Sequence, residues 1–133
     1  MDPTQKKQTI FIVDDDQFLL DMYANKFSKS GYEVTYCSSG TDALKKLHEG
    51  FKPDIMLADN IMPGMTGLEL VGVIRKENLI PDATIIMLTN QNAPEDISTA
   101  KNLNADGYIV KAMAVPSEVI AEVEKIYNKT HGK

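Results

Sequence analysis

The chain has one cysteine, Cys37, so no disulfide can form within it and a disulfide-held scaffold is excluded. A lone thiol suits a reducing compartment, and its place in the strand-like run Glu33 to Cys37 reads as that of a small buried hydrophobe. Positive charge is also in short supply. Lys and Arg total 14 against 19 Asp and Glu, a net charge of −5, which argues against a nucleic-acid or anionic-membrane surface built on bulk charge. No apolar run approaches membrane-spanning length. No apolar segment follows the polar, basic lead Met1 to Gln8, so that lead does not read as a signal peptide. A cytoplasmic location is the expectation.

What is present is ordinary for a folded domain. The 133 residues, 43% apolar and 25% charged, fit one compact unit large enough to bury a core. Thr9 to Val13 is a β-branched and aromatic run that stops at Asp14, Asp15 and Asp16, a buried strand followed by an acidic loop. Phe18, Leu19, Met22, Tyr23 and Phe27 then recur at helical spacing up to Gly31. The alternation repeats: strand Val34 to Cys37, helix Thr41 to His48, strand Ile55 to Ala58 ending at Asp59. After the turn Met62-Pro63-Gly64, a helix carries Leu68, Leu70, Val71 and Ile74, and the strand Thr84 to Leu88 follows. A polar helix over Ala93 to Asn104, a strand over Tyr108 to Val110 and a helix over Pro116 to Tyr127 complete the domain. Residues 1–8 form a flexible lead, 9–127 the domain and 128–133 a frayed tail. Strands separated by helices imply an α/β, doubly wound parallel sheet, whose ligand crevice lies at the carboxyl ends of the strands.

Those ends carry Asp14 and Asp15, Asp59, Thr89 and Lys111. Clustered carboxylates repel one another unless a cation sits among them, and magnesium favours oxygen donors. If Asp59 accepts a phosphoryl group, magnesium and Lys111 neutralise the transferring charge and the Thr89 hydroxyl bonds an equatorial oxygen. Taken singly each residue has a plainer role, such as helix capping for Asp14 to Asp16 or solvation for Asp59 and Lys111, and only the conjunction points to chemistry. His48, near a helix end, and His131, in the tail, read as solvated or dipole-complementing groups. Phe18, Leu19 and Met22 read as a mixture of core and partner-docking surface.

The segments Ile12-Val13-Asp14-Asp15-Asp16, Pro53 to Asp59, Met62-Pro63-Gly64-Met65-Thr66-Gly67, Leu88-Thr89 and Gly107-Tyr108-Ile109-Val110-Lys111 resemble the receiver-domain signature of response regulators, over about residues 9–127. The intervals from Asp59 to Thr89 and to Lys111 match that pattern. The resemblance implies a (βα)5 fold with flavodoxin-like strand order 2-1-3-4-5 and a phosphorylation switch of a two-component system or phosphorelay. By it, Asp59 is the phosphoacceptor. Asp15 and Asp59 supply oxygens to Mg2+, Asp14 acts through metal-bound water, and Ile61 offers its backbone carbonyl. Thr89, Lys111 and Asn60 bind phosphate, and Thr89 and Tyr108 form the switch pair. The implied donor is a histidine kinase or phosphotransfer protein; the downstream protein target is unspecified, and neither nucleic acid nor membrane is an expected partner. Such a domain is a signalling module rather than an enzyme, assisting only its own phosphoryl transfer and hydrolysis.

This chain departs from the pattern at Asn90, where Ala or Gly is common, and at Ala112, where proline commonly follows the lysine in a cis bond. A non-proline cis bond costs roughly 2.5–4 kcal/mol, and Glu118 marks a loop one residue longer than usual, so a trans Lys111–Ala112 bond with Lys111 directed at Asp59 is expected. Ile61 and Gln91 flank the expected water path, and Ile61 cannot orient water, which predicts slow self-dephosphorylation. Three rival functions are a haloacid-dehalogenase-like phosphohydrolase with Asp14 as nucleophile and Asp16 as acid/base, a flavin-binding module, and a receiver belonging to a hybrid kinase or multidomain regulator. The first lacks acidic ligands on a strand after Lys111, and the second lacks a hydroxyl-rich phosphate loop.

Overall fold

Fully buried strands in a parallel sheet have no solvent face, so their sequences are continuous apolar runs rather than alternating ones. A computed structural model describing residues 8–90 and 92–131, with Met113 by its backbone alone, shows this pattern. In chain order the elements are β1 (Thr9–Val13), α1 (Gln17–Lys29), β2 (Glu33–Cys37), α2 (Gly40–His48), β3 (Ile55–Ala58), α3 (Gly67–Glu77), β4 (Thr84–Thr89), α4 (Pro94–Asn102), β5 (Gly107–Val110) and α5 (Pro116–Thr130). All pairings are parallel and the strand order is β2-β1-β3-β4-β5, the doubly wound arrangement expected from the alternation.

Successive residues of β1, β3 and β4 serve opposite faces. Phe11, Val13, Met56, Ala58, Ile85 and Met87 pack with Ala43 and Leu47 of α2 and Leu70, Val71 and Ile74 of α3. Ile10, Ile12, Ile55, Leu57, Ile86 and Leu88 pack with Leu20, Tyr23 and Phe27 of α1 and Val119 and Val123 of α5. Fully burying a side chain of this size contributes about 1.5–3 kcal/mol, so the two half-cores fix which helix lies on which face. The central strands β1, β3 and β4 therefore hold their carboxyl-terminal residues rigidly at one edge.

Local chemistry sets the ends. Thr66 caps α3: its Oγ1 accepts the Glu69 N–H at 3.1 Å while Glu69 Oε1 accepts the Thr66 N–H at 2.9 Å. Such a reciprocal cap is worth about 1 kcal/mol. Asn78 ends that helix in the left-handed region, φ 53°. By contrast α4 has no side-chain cap, buries only Ala100, and is shorter than its sequence pattern, from Pro94 to Asn102.

Two ends differ from expectation. Helix α5 continues through Thr130, three residues into the expected tail, because Thr130 Oγ1 meets the buried Thr84 Oγ1 at 2.8 Å and the Tyr127 and His131 rings stack at 4.1 Å. After β5, Lys111–Met113 forms a single 3₁₀ turn that takes up the longer loop. No cis peptide occurs among the described residues, so the Lys111–Ala112 bond is trans, as expected. Cys37 is only half-buried at the end of the edge strand, where burial pushes its thiol up to about 11 and leaves it unreactive at neutral pH. Among the described residues no helix is long and apolar enough to cross a membrane.

Candidate functional site

The carboxyl edge of the sheet is built by backbone ladders before any side chain matters. The Asp59 N–H donates to Val13 O at 2.9 Å and the Asp14 N–H to Cys37 O at 3.3 Å, so the acids continue the pairing of β2, β1 and β3 into the loops. Asp59 is thereby set beside Asp14. Thr89 ends β4 and is buried, and Lys111 follows β5 directly. A cleft of about 290 Å³ results, walled by Asp14, Asp15, Asp59, Ile61, Thr89 and Lys111 among others.

Oxygens of Asp14, Asp15 and Asp59 lie within 4.8 Å of one another. Three hard carboxylate oxygens at this spacing suit one magnesium-sized ion, with slight closing to reach its bond lengths of about 2.0–2.1 Å. Asp15 is exposed at the mouth while Asp14 is buried. Burial pushes the Asp59 carboxyl above the ordinary carboxylate range. The Thr89 hydroxyl, the Lys111 ammonium and the Asn60 N–H pull it down without cancelling the burial, and the Asp14 charge adds to the rise.

Lys111 enters the cluster but leans away from the expected partner. Its Nζ is 2.5 Å from Asp14 Oδ2 and 3.8 Å from Asp59 Oδ2, so Asp14, rather than Asp59, holds the hydrogen bond. Asn60 sits beside the acceptor: its backbone N–H is 2.8 Å from Asp59 Oδ1, while its side-chain oxygen accepts the Leu68 N–H at 3.1 Å and braces the start of α3. Asp16 is spent as the cap of α1, accepting the Leu19 N–H at 3.2 Å. That bond gives Asp16 a plainer role than the acid/base of the phosphohydrolase reading, although Asp16 also lines the cleft.

Ile61 stands at the rim with 56% of its surface exposed, and Asn90 is exposed beside it; Gln91 lies outside the described residues. Tyr108 is half-buried on β5 and packs on the α3 side of the core. Burial first, then the charges of Asp96 and Asp59, raise its phenol, so Tyr108 lies within electrostatic reach of the acceptor. Phe18 is 78% exposed, whereas Leu19 and Met22 pack against the core, so the mixture expected for these three divides by residue. His48 pairs with Glu77 at 2.7 Å, tying α2 to α3 at the surface far from the acids. A roomier cleft of about 420 Å³ at the opposite end of the sheet is walled by Arg75 and Asp106, which pair with each other at 3.4 Å and serve the fold.

Sequence reasoning missed two parts of the site. One is the Lys111–Asp14 bond. The other is Gly67, whose N–H donates to Asn60 O at 2.9 Å and whose α-carbon abuts the Asp59 backbone. The glycine was visible in the turn motif, but its contact joins the two ends of the β3–α3 loop and has no local signature.

Comparison with known proteins agrees with this geometry. The family model described as response regulator receiver domain matches residues 10–124. The DNA-binding response regulator MtrA of Mycobacterium tuberculosis is 33% identical over 117 residues, 88% of this chain and 49% of that protein. The alkaline phosphatase synthesis transcriptional regulatory protein PhoP of Bacillus subtilis is 33% identical over 121 residues, 91% of this chain and 49% of its own length. The chain thus spans about half the length of these curated relatives. Among solved structures, a CheY-like receiver domain protein of Methanospirillum hungatei superposes with a TM-score of 0.85 at 28% identity, covering 97% of this chain and 98% of that one. The chemotaxis response regulator CheY4 of Vibrio cholerae gives 0.81 at 28% identity, covering 92% and 99%. The chain belongs to the response regulator receiver domain family, the phosphorylation-dependent signalling domain of two-component systems.

Proposed function

We propose that Asp59 accepts a phosphoryl group from a phosphohistidine of a histidine kinase or phosphotransfer protein. The observation that carries this reading is the convergence of the acid cluster with Thr89 and Lys111 at one sheet edge. In the transfer an Asp59 oxygen forms a bond to phosphorus as the bond from phosphorus to the donor nitrogen breaks, and the electron pair leaves on the imidazole. Lys111 and the Thr89 hydroxyl offset charge on the equatorial oxygens, and catalysis is positioning plus electrostatics. Asp14, Asp15, Asp59 and the Ile61 carbonyl would hold magnesium, which supplies charge neutralisation to the transferring group. Asn60 contributes through its backbone N–H.

Thr89 and Tyr108 are the proposed switch pair: a phosphoryl group on Asp59 draws the Thr89 hydroxyl, and Tyr108 responds on the neighbouring strand. Ile61 at the rim and the exposed Phe18 in the first turn of α1 offer an incoming donor apolar contact. The chain acts in the cytoplasm as a signalling module, assisting only its own phosphorylation and hydrolysis. Its acidic charge supports a protein target and no nucleic-acid contact by these residues. The same site serves equally in a receiver that is one module of a longer regulator, a reading supported by the half-length match to MtrA and PhoP.

Incubation with acetyl phosphate and magnesium, followed by peptide mapping of the phosphorylated protein, tests the assignment. The phosphoryl group is expected on Asp59 only, and only with the metal present; labelling elsewhere, or labelling unaffected by chelator, would refute it. A second outcome concerns lifetime. With an aliphatic side chain at Ile61, no carboxylate or amide there orients the attacking water. The phosphorylated protein is therefore expected to persist for minutes or longer, and Ile61→Asn to shorten that lifetime severalfold. Loss of the parent's label within seconds would count against it.

A further inference from the structure

Helix α4 is fixed at one end only. Its amino-terminal half, Pro94 to Ser98, buries no residue, and Ala93 before it offers no side-chain cap. The carboxyl-terminal half holds on through buried Ala100 and through Leu103, which packs against the α3 side of the core. Beyond Leu103 the chain turns at Asn104 in the left-handed conformation, φ 63°. Nη2 of Arg75, on α3, donates to Asn104 O at 2.7 Å and lies 3.4 Å from Asp106 Oδ2. That carboxylate oxygen makes its shorter bond elsewhere, accepting the Ile85 N–H of β4 at 2.8 Å. Arg75 therefore reaches from α3 to the turn that closes α4.

The hold is single-pronged. A guanidinium binds most firmly when two of its nitrogens donate in parallel. Here Nη2 carries both contacts, and Nε is buried with no hydrogen-bond partner among the described residues. An unpaired buried donor is costly, and it regains water once the side chain swings out. Arg75 also lines the cleft at the amino edge of the sheet, which leaves it room to do so. Opening loses one charged hydrogen bond and relieves one unsatisfied group, which brings the closed and open states near in energy. We propose that Arg75 is a latch on α4. Closed, it makes the carboxyl-terminal turn of α4 a pivot; open, it lets α4 leave the core as a unit while the sheet stays folded. A partner that needs α4 displaced then works against the latch and not against the whole domain.

The test is amide hydrogen exchange on the full chain, comparing the parent with Arg75→Met, which keeps the apolar stem and removes the donors. The α4 amides are expected to exchange about three- to tenfold faster in the variant, the loss of one bond from a charged donor less the relief of Nε. Amides of β1, β3 and α1 should keep the parent's rates. Equal acceleration in every element would mean that Arg75 supports the domain as a whole and overturns the proposal, as does unchanged exchange in α4. A second measurement needs no variant. In the parent, at urea concentrations well below the unfolding midpoint, the α4 amides should exchange at a rate that urea barely changes, the mark of a small local opening. The β1 and β3 amides should accelerate with urea. If the α4 amides instead follow β1 and β3, α4 opens only with the whole domain, and the proposal is overturned even where Arg75→Met fails to fold.

Discussion

Replacing Asp59 with Asn is expected to reduce labelling by acetyl phosphate to background and to raise the melting temperature at neutral pH by a few degrees. The two effects have one origin. A nucleophilic carboxylate must be ionised, and Asp59 is held where ionisation is disfavoured: burial pushes its pKa up, and the Asp14 charge adds to the rise. An acid whose pKa is higher folded than unfolded binds its proton more tightly in the native state. Its stabilising contribution is complete below the ordinary carboxylate pKa of about 4 and is lost as pH rises through the raised value. Asn keeps the shape and removes that loss, so the melting temperatures of variant and parent should converge in acid and diverge toward neutral pH. Equal labelling of Asp59→Asn would remove Asp59 as acceptor. A variant less stable than the parent at pH 7 would show that the bonds from Thr89, Lys111 and Asn60 outweigh the burial.

Much of this was open to a reader of the sequence, for definite physical reasons. Ile55 to Ala58 and Thr9 to Val13 are legible as strands because both faces are covered, which forces unbroken apolar runs. Asp59, Thr89 and Lys111 stand out because each ends such a run, and the parallel topology sends all those ends to one edge. Contacts between distant segments were not legible. Nothing near Asn128 announces that α5 continues, since the contact that extends it joins Thr130 to Thr84. Asn60 follows the acceptor, and its division of labour, with the side-chain oxygen bracing Leu68 in the first turn of α3 and the backbone N–H on Asp59, has no local signature. The partner of Lys111 was likewise undecidable, because Asp14 and Asp59 both end strands and only the 3₁₀ turn after β5 sets where the stem points. Asp14, Asp15 and Asp16 are equal in sequence and differ in the fold: one is buried on the lysine, one stands at the mouth, and one caps α1.

Gly67→Ala is expected to be strongly damaging for a single-methyl change. A β-carbon built on Gly67 would lie 2.1 Å from the carbonyl oxygen of Asp59, 2.9 Å from its carbonyl carbon and 3.0 Å from the Asn60 α-carbon. All three are backbone atoms of the loop that carries the acceptor, so no side chain can rotate aside. Relief requires α3 to withdraw from β3, which strains the Gly67 N–H bond to Asn60 O and the Leu68 N–H bond to Asn60 Oδ1. Overpacking together with weakened hydrogen bonds should cost about 2–4 kcal/mol, read as a lower urea midpoint. Because the clash falls on Asp59 itself, the acceptor carboxylate moves as well. A displacement near 1 Å lowers rates by up to about 100-fold, so labelling by acetyl phosphate should slow by about 10- to 100-fold even where the variant is fully folded. Gly72→Ala provides the contrast within the same helix. A β-carbon there meets only Leu103 Cδ2 at 3.8 Å, ordinary contact, and Ala is the better helix former. That variant should gain about 0.5–1 kcal/mol and label like the parent. Should Gly67→Ala unfold at the parent's urea midpoint and label at the parent's rate, the close approach of α3 to Asp59 does not constrain the acceptor.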